Sequence, residues 1–471
     1  MKKNFLLQLA FLSAMIVPFL GRAQSSDREY YLRPSYWRPY DQRGINVFET
    51  TKQPDTIPFE GPRVRFGAGF TQQFQNLKHE NPAAKNNGGT TVATAQANKL
   101  YPLQSGFMTA QADLFTDIQL ADGIRLSVTT YLSARHHNEA WVKGGYIQFD
   151  KLPFKGQFWD NLMKIATIKV GHMEINYGDE HFRRPDGGHT LQSPFMEGNI
   201  MDAFATEIGG EVYLQKNGLF GMLGVTNGMI KGNVDTTYIT KSIDGTVIDG
   251  NVKRDPSIYL KGGIDKQVTP DVRVRVTGSF YHNSSNAGSG LTLYGGDRTG
   301  SNYQNVMEKW VTSPLTSAAA ANASTAVAFS GRFNPSFSKK VDAAMFNGFL
   351  KVKGLELFGT YETAKGRTSK ETSSRTANQF AGELIYRFAQ DRLYVGGRYN
   401  TVKAELTGFT TDVNINRTAF AAGWFLTKNV LLKGEYVTQK YLHFENTTVP
   451  NTDYRAGGKF NGYVIEAVVG F

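Results

Sequence analysis

The chain has 471 residues, a formal charge of +11, no cysteine, 49 glycines, and 32 Phe, 22 Tyr and 5 Trp residues. The lack of cysteine excludes disulfides, thiolate metal sites, a cysteine nucleophile and a lipid-bearing N-terminal Cys. Glycine and aromatic enrichment in short alternating segments favours one large β structure over the two or three soluble domains that the length would allow.

Residues 1–23 read as a secretory signal. Lys2 and Lys3 supply a basic start, an apolar run follows, and Gly21-Arg22-Ala23 places small residues at the cleavage position. No later window is apolar for long enough to form a membrane-spanning helix. The exported chain would remain basic. Nucleic acid is not an expected partner for such a protein, and basic groups facing a water-filled space would favour anions. Residues 24–61, rich in Tyr, Arg and Pro with little periodicity, are expected either to lie outside the β structure or to fold into its mouth.

From residue 62 onward the chain alternates with period two. Strands are predicted near 62–75, 107–119, 123–133, 141–150, 164–173, 206–215, 219–228, 257–265, 271–281, 344–352, 355–363, 379–388, 392–403, 417–426, 430–442 and 462–471. The faces sort cleanly. Val272, Val274 and Val276 oppose Arg273 and Arg275; Val64, Phe66 and Phe70 oppose Arg63 and Arg65; Ile124, Leu126 and Val128 oppose Arg125, Ser127 and Thr129. The connections sort too. One set (121–122, 151–163, 216–218, 266–270, 353–354, 389–391, 427–429) is short apart from 151–163. The other (76–106, 134–140, 174–205, 229–256, 282–343, 364–378, 404–416, 443–461) is mostly long and polar. Short turns at one end and long loops at the other belong to a transmembrane antiparallel up-and-down β-barrel. The apolar faces would then meet lipid and the charged faces the lumen, which in a barrel of this size is wide enough for water.

The last strand ends Tyr463-Val-Ile-Glu-Ala-Val-Val-Gly-Phe471, with Tyr463, Ile465, Ala467, Val469 and Phe471 on one face. It resembles the closing strand of bacterial outer-membrane barrels, which end in an aromatic residue. The stretch 168–228 resembles the phosphate-selective porin O and P family. Carrying the likeness are Val170-Gly-His-Met-Glu-Ile-Asn-Tyr-Gly-Asp-Glu180, Pro194-Phe-Met-Glu197, Glu207-Ile-Gly-Gly210 and Gly218-Leu-Phe-Gly-Met-Leu-Gly-Val-Thr-Asn-Gly228. Asn176 stands where that family usually has Pro, and Asp179 where it usually has Leu. The resemblance implies a trimeric porin in the outer membrane that passes small hydrophilic solutes with a preference for anions, phosphate among them, without cofactor or covalent chemistry. The family's own phosphate-binding residues have no one-to-one match here.

Counted from the C-terminus, 174–205 is the third long loop, the one that folds inward in general porins. It carries the densest polar cluster, with His181, Arg183 and Arg184. Together with Arg63, Arg65, Arg273 and Arg275 these form the candidate pore lining, since guanidinium groups present fixed donors to phosphate or carboxylate oxygens. The same arginines can instead pair with carboxylates: Asp179, Glu180 and Asp186 in the loop, or Glu211, Glu356, Glu383 and Glu435 across strands. Asp179, His181, Asp186 and His189 hold metal-type donors at no recognised spacing. His136 and His137, with Glu139 beside them at a strand rim, are the residues on which a barrel-embedded hydrolase would depend. A third possibility is a barrel that serves as subunit or scaffold of a larger outer-membrane assembly, with 24–61 as the docking segment.

Overall fold

The computed structural model describes residues 37–50, 52, 57–82, 98–108, 110–133, 140–185, 188–228, 254–286, 292–296, 301–309, 330–448 and 453–471. The expected signal at 1–23, Tyr36, His136, His137, Glu139, Asp186 and most of 317–330 lie outside the described residues.

Sixteen long strands form one closed antiparallel ring. They are β1 (Arg63–Glu80), β2 (Gln111–Ala121), β3 (Ile124–Ser133), β4 (Ala140–Phe149), β5 (Ala166–Glu174), β6 (Thr206–Lys216), β7 (Leu219–Thr226), β8 (Ser257–Thr269), β9 (Val272–Asn283), β10 (Lys340–Val352), β11 (Leu355–Arg367), β12 (Arg375–Phe388), β13 (Leu393–Ala404), β14 (Val413–Thr427), β15 (Val430–Leu442) and β16 (Lys459–Gly470). Each pairs with its neighbour in sequence, and β16 closes on β1 from Gly69↔Gly470 to Glu80↔Lys459. The backbone of Phe471 completes the seam, with Ala68 N donating to its carbonyl (2.9 Å) and its own N–H donating to Ala68 O (3.1 Å). Closure leaves no strand edge unpaired.

Every predicted strand is present, and the differences lie in their lengths. Strands β1, β10, β11, β12, β14 and β16 run three to five residues further toward the long-loop end than alternation alone indicates. The extra residues are polar on the outer face, such as Asp342, Lys365, Arg367, Asn378 and Asn414, and apolar on the inner face, such as Val341, Ala343, Ala364, Ala377 and Ile415. The apolar face there turns inward, opposite to its direction along the rest of the strand. At the other end β8 extends to Thr269, which shrinks the expected 266–270 turn to Pro270 and Asp271. The long member of the short-turn set, 151–163, contains a helix, α1 (Gln157–Leu162), with Phe158 exposed.

The outer face is apolar around the whole ring: Phe66, Leu114, Val212, Leu260, Val276, Phe346, Leu357, Phe380, Leu384, Phe420, Tyr463 and Ile465 are all exposed. The inner face carries the charges, and it is largely covered from within. Residues 37–50 enter at the short-turn end, where Gln42 N donates to Lys428 O (2.9 Å) and Gln42 Nε2 to Asp391 O (2.8 Å). Of the two placements open to 24–61, its described part thus takes the one inside the barrel mouth. Loop 174–205 folds into the lumen, as its number in the loop order predicts. Parts of 282–343 pack on it: Phe204 N donates to Leu293 O (2.8 Å), and Arg332 pairs with both Glu197 and Asp202.

Two inward glycines are seats for aromatic rings. A Cβ on Gly224 or Gly423 would meet the ring of its cross-strand partner, Tyr259 or Tyr394, at 2.1 Å. Outward Gly348 and Gly359 have nothing within 4 Å of that position. We therefore expect Gly224→Val and Gly423→Val each to cost about 1–3 kcal/mol by overpacking. Gly348→Ala and Gly359→Ala should stay within about 0.5 kcal/mol of the parent. Urea titration of the folded barrel followed by Trp fluorescence measures both.

Candidate functional site

The inward arginines are predominantly paired. Arg65 meets Asp117 at 2.6 Å and lies over the rings of Tyr40 and Trp37. Arg273 meets Asp265 at 2.7 Å across β8 and β9. Arg63, at the short-turn end of β1, donates to Pro58 O at 2.6 Å. Of the carboxylates expected to pair across strands, Glu356 takes Arg387 (3.0 Å) and Lys351 (3.4 Å), Glu383 takes Arg398 (2.6 Å), and Glu211 lies 4.0 Å from Lys169. Glu435 accepts from Met196 N and from the Tyr303 hydroxyl instead.

Arg275 sits in the deepest cluster. It meets Asp179 of the inward loop (2.7 Å), Glu49 of the N-terminal segment (2.6 Å) and Asp265 of β8 (3.1 Å). Lys261, also on β8, bridges Glu49 and Asp179 from the other side at 2.8 Å each. Three segments far apart in sequence meet on these five side chains. Burial pushes the Asp179 carboxyl up, but Lys261 and Arg275 overcome it and hold the group well below the usual carboxylate range.

Loop 174–205 is fastened along its length to the wall from β8 to β15. Asp179 N donates to Asn347 Oδ1 (2.9 Å), Ile200 N to Asn400 Oδ1 (2.6 Å) and Met201 N to Gln379 Oε1 (2.8 Å). Arg398 and Arg417 donate to the carbonyls of Glu197 and Gly198, and Lys433 to those of Thr190, Ser193 and Phe195. Arg183 is buried, paired with Glu383 (2.9 Å) and hydrogen-bonded to Asn46. Arg184 pairs with Asp202 (2.8 Å) over the ring of Phe204 (4.4 Å). Both hold the loop in place. Burial, with Lys261 close by, keeps His181 well below its ordinary value and therefore neutral, and its Nε2 donates to Asn176 Oδ1 at 2.8 Å. The metal-type donors do not converge: among the described residues no three His, Asp or Glu side chains come together as a metal site.

With the loop drawn to one wall, space remains along the other. A cavity of about 220 Å³ lies against β2–β6, walled by the loop and floored by Arg38, Tyr40, Phe48, Glu49 and Thr50. Of the seven candidate pore-lining residues, only His181 lines it. Its cations are Arg38, Arg125, Lys143 and Lys169. Arg38 donates to neutral acceptors, Phe182 O (2.9 Å) and Gln192 Oε1 (3.2 Å). Burial lowers it to about 10, still charged at neutral pH. Arg125 donates to Gln148 Oε1 at 2.7 Å. Lys169 is held between the rings of Tyr146 (5.2 Å) and Tyr213 (4.9 Å) and, among the described residues, donates no hydrogen bond. Lys143 owes its inward aim to a β-bulge. Register shifts between Thr129↔Gly144 and Thr130↔Val142, so Lys143 is the extra residue, and its ammonium lies 3.4 Å from Asp113.

No protein-family model matches the chain, and no curated protein matches it in sequence, so the likeness of 168–228 to the porin O and P family rests on those residues alone. Among solved structures the chain is similar to OmpT, an outer membrane protein of Vibrio cholerae in its trimer form (11% identity, 88% of this chain, 100% of that chain, TM-score 0.47). It is also similar to an anion-selective porin from Comamonas acidovorans (10%, 87% and 100%, TM-score 0.47) and to the outer membrane channel DcaP of Acinetobacter baumannii (10%, 87% and 98%, TM-score 0.45).

The Asp179 cluster makes a stability prediction. Asp179→Asn leaves two buried cations facing Glu49 and should cost about 3–5 kcal/mol at pH 7. Because the folded carboxyl lies below its unfolded value, its contribution is present above about pH 4. It is lost as pH falls further. Urea midpoints of parent and variant should therefore differ at neutral pH and converge only in stronger acid.

Proposed function

We propose that the chain is an outer-membrane porin that lets small hydrophilic solutes diffuse passively, with a preference for anions. The observation that carries the reading is the cavity along β2–β6. Solute would pass there, beside four cations, while the arginines of the far wall are engaged in holding the loop. The apolar outer face supports insertion in lipid, since a charge there would cost about 2–4 kcal/mol at the midplane. The end with short turns faces the periplasm in this reading, residues 1–23 act as the export signal, and the family likeness of 168–228 suggests a homotrimer. Selectivity is electrostatic: fixed positive groups in a narrow, low-dielectric passage raise the local concentration of anions. Phosphate is one such anion.

A second reading, a closed barrel acting as subunit of a larger assembly, draws support from the segment 37–50 seated in the short-turn end.

Single-channel recording in planar bilayers separates the two. The porin reading expects stable conductance and a reversal potential on the anion side under a KCl gradient. A silent barrel, or cation preference, would overturn it. Lys143→Gln with Lys169→Gln should move the reversal potential toward the cation side. Arg183→Gln with Arg184→Gln should destabilise the loop and make the current noisier, with a smaller effect on selectivity.

A further inference from the structure

The cavity does not resemble a site built for a small inorganic oxyanion. A phosphate dianion prefers polar donors on every side. Here much of the wall is aromatic, with Tyr40, Phe48, Phe115, Tyr146, Phe204 and Tyr213 all lining the space. Ring faces carry the negative end of the aromatic quadrupole and offer nothing to a dianion. Tyr40 and Phe115 are stacked on each other, with centroids 4.2 Å apart, and Arg65 lies over the Tyr40 ring at 4.3 Å. Among these rings the same space holds Lys169, Lys143 and Arg125. It also holds the carboxylates of Glu49, Asp117 and Glu174, which repel a dianion about twice as strongly as a monoanion.

The volume points the same way. About 220 Å³ has room for roughly seven waters. A phosphate takes the space of about two, and a carboxylate on a six-membered ring that of about four. A ligand with one charged end and one flat apolar body suits a lining of both cations and rings. Its carboxylate would face the Lys169 ammonium, which stands 4.0 Å from Glu211, beyond hydrogen-bond distance, and between the rings of Tyr146 and Tyr213. Its body would lie among the aromatic side chains that line the space. Tyr146 and Tyr213 hold the ammonium by cation–π contact, which aims it without consuming its donors.

We infer that the β2–β6 cavity is a binding subsite for small organic monocarboxylates with a flat apolar body, with Lys169 as the carboxylate contact. This rests on the porin reading for its role as a stage in passage, but binding itself does not require conduction.

The test uses the full-length protein in detergent and then in bilayers, with benzoate as probe, benzamide as its neutral counterpart and inorganic phosphate as the competing anion. Titration followed by intrinsic fluorescence or calorimetry should show saturable benzoate binding. Benzamide and phosphate should each bind about tenfold or more weakly, the scale of one lost charge-assisted hydrogen bond. Lys169→Gln should weaken benzoate by a similar factor, and Lys169→Arg should restore much of it. If Lys169→Gln does not fold, Lys143→Gln is read in the same way, with a smaller loss. Equal binding of phosphate or benzamide, or benzoate binding indifferent to both lysine variants, overturns the inference. In bilayers, benzoate should add brief current blocks that disappear in Lys169→Gln. Binding in detergent from a barrel that never conducts would keep the subsite and remove the porin reading. Conduction without benzoate binding would do the reverse.

Discussion

The lumen is organised by one cluster of buried charges. Arg275 of β9 and Lys261 of β8 hold Glu49 from the N-terminal segment and Asp179 from the inward loop. Removing one partner from such a cluster strands the others in a low-dielectric interior, so the four groups constrain one another far more than an exposed pair would. The cluster settles where the loop lies, and the loop, with the segment beneath it, settles where space remains. The cavity along β2–β6 is therefore bounded by a loop and a segment that these ionic contacts hold in place.

The same arrangement divides the positive charge of the lumen into two kinds. Arg183, Arg184, Arg275, Arg398 and Arg417 donate to carboxylates or to carbonyls of the folded-in loop, and their charge goes to positioning. Lys169, between two rings with Glu211 at 4.0 Å, and Arg38, bonded to neutral acceptors with Glu174 and Glu49 in its field, sit beside the cavity with their charge less directly engaged. A fixed charge shapes the field felt by a solute only where no counter-charge cancels it nearby. A count of inward basic residues thus overstates the attraction that a passing anion would meet.

The barrel was legible because its wall obeys a strict rule. Side chains alternate along a strand, lipid-type residues on one face and polar ones on the other. That rule located all sixteen strands, including β9 with Val272, Val274 and Val276 outward, and it placed Arg125 inward. It failed where the outer face turns polar and the inner face apolar, as at the long-loop ends of β10, β11 and β12. It also failed at the bulge in β4, where one inserted residue turns Lys143 inward against the alternation. Arg38 was beyond its reach altogether, because 37–50 has no periodicity and takes its position from bonds to Asp391, Lys428 and the cluster at Arg275.

For the candidate site the division is sharper. Sequence order alone determined the ring and its short-turn and long-loop ends, because hairpin connectivity and two-residue periodicity are local properties; that loop 174–205 folds inward was an expectation from its likeness to the third loop of general porins. It also identified the inward arginines and both of their possible fates. Only the tertiary structure decided between those fates, since pairing depends on which carboxylate of a distant segment arrives within about 3 Å. Asp179 and Glu49 stand 96 and 226 residues from Arg275, and no local pattern encodes that they meet it.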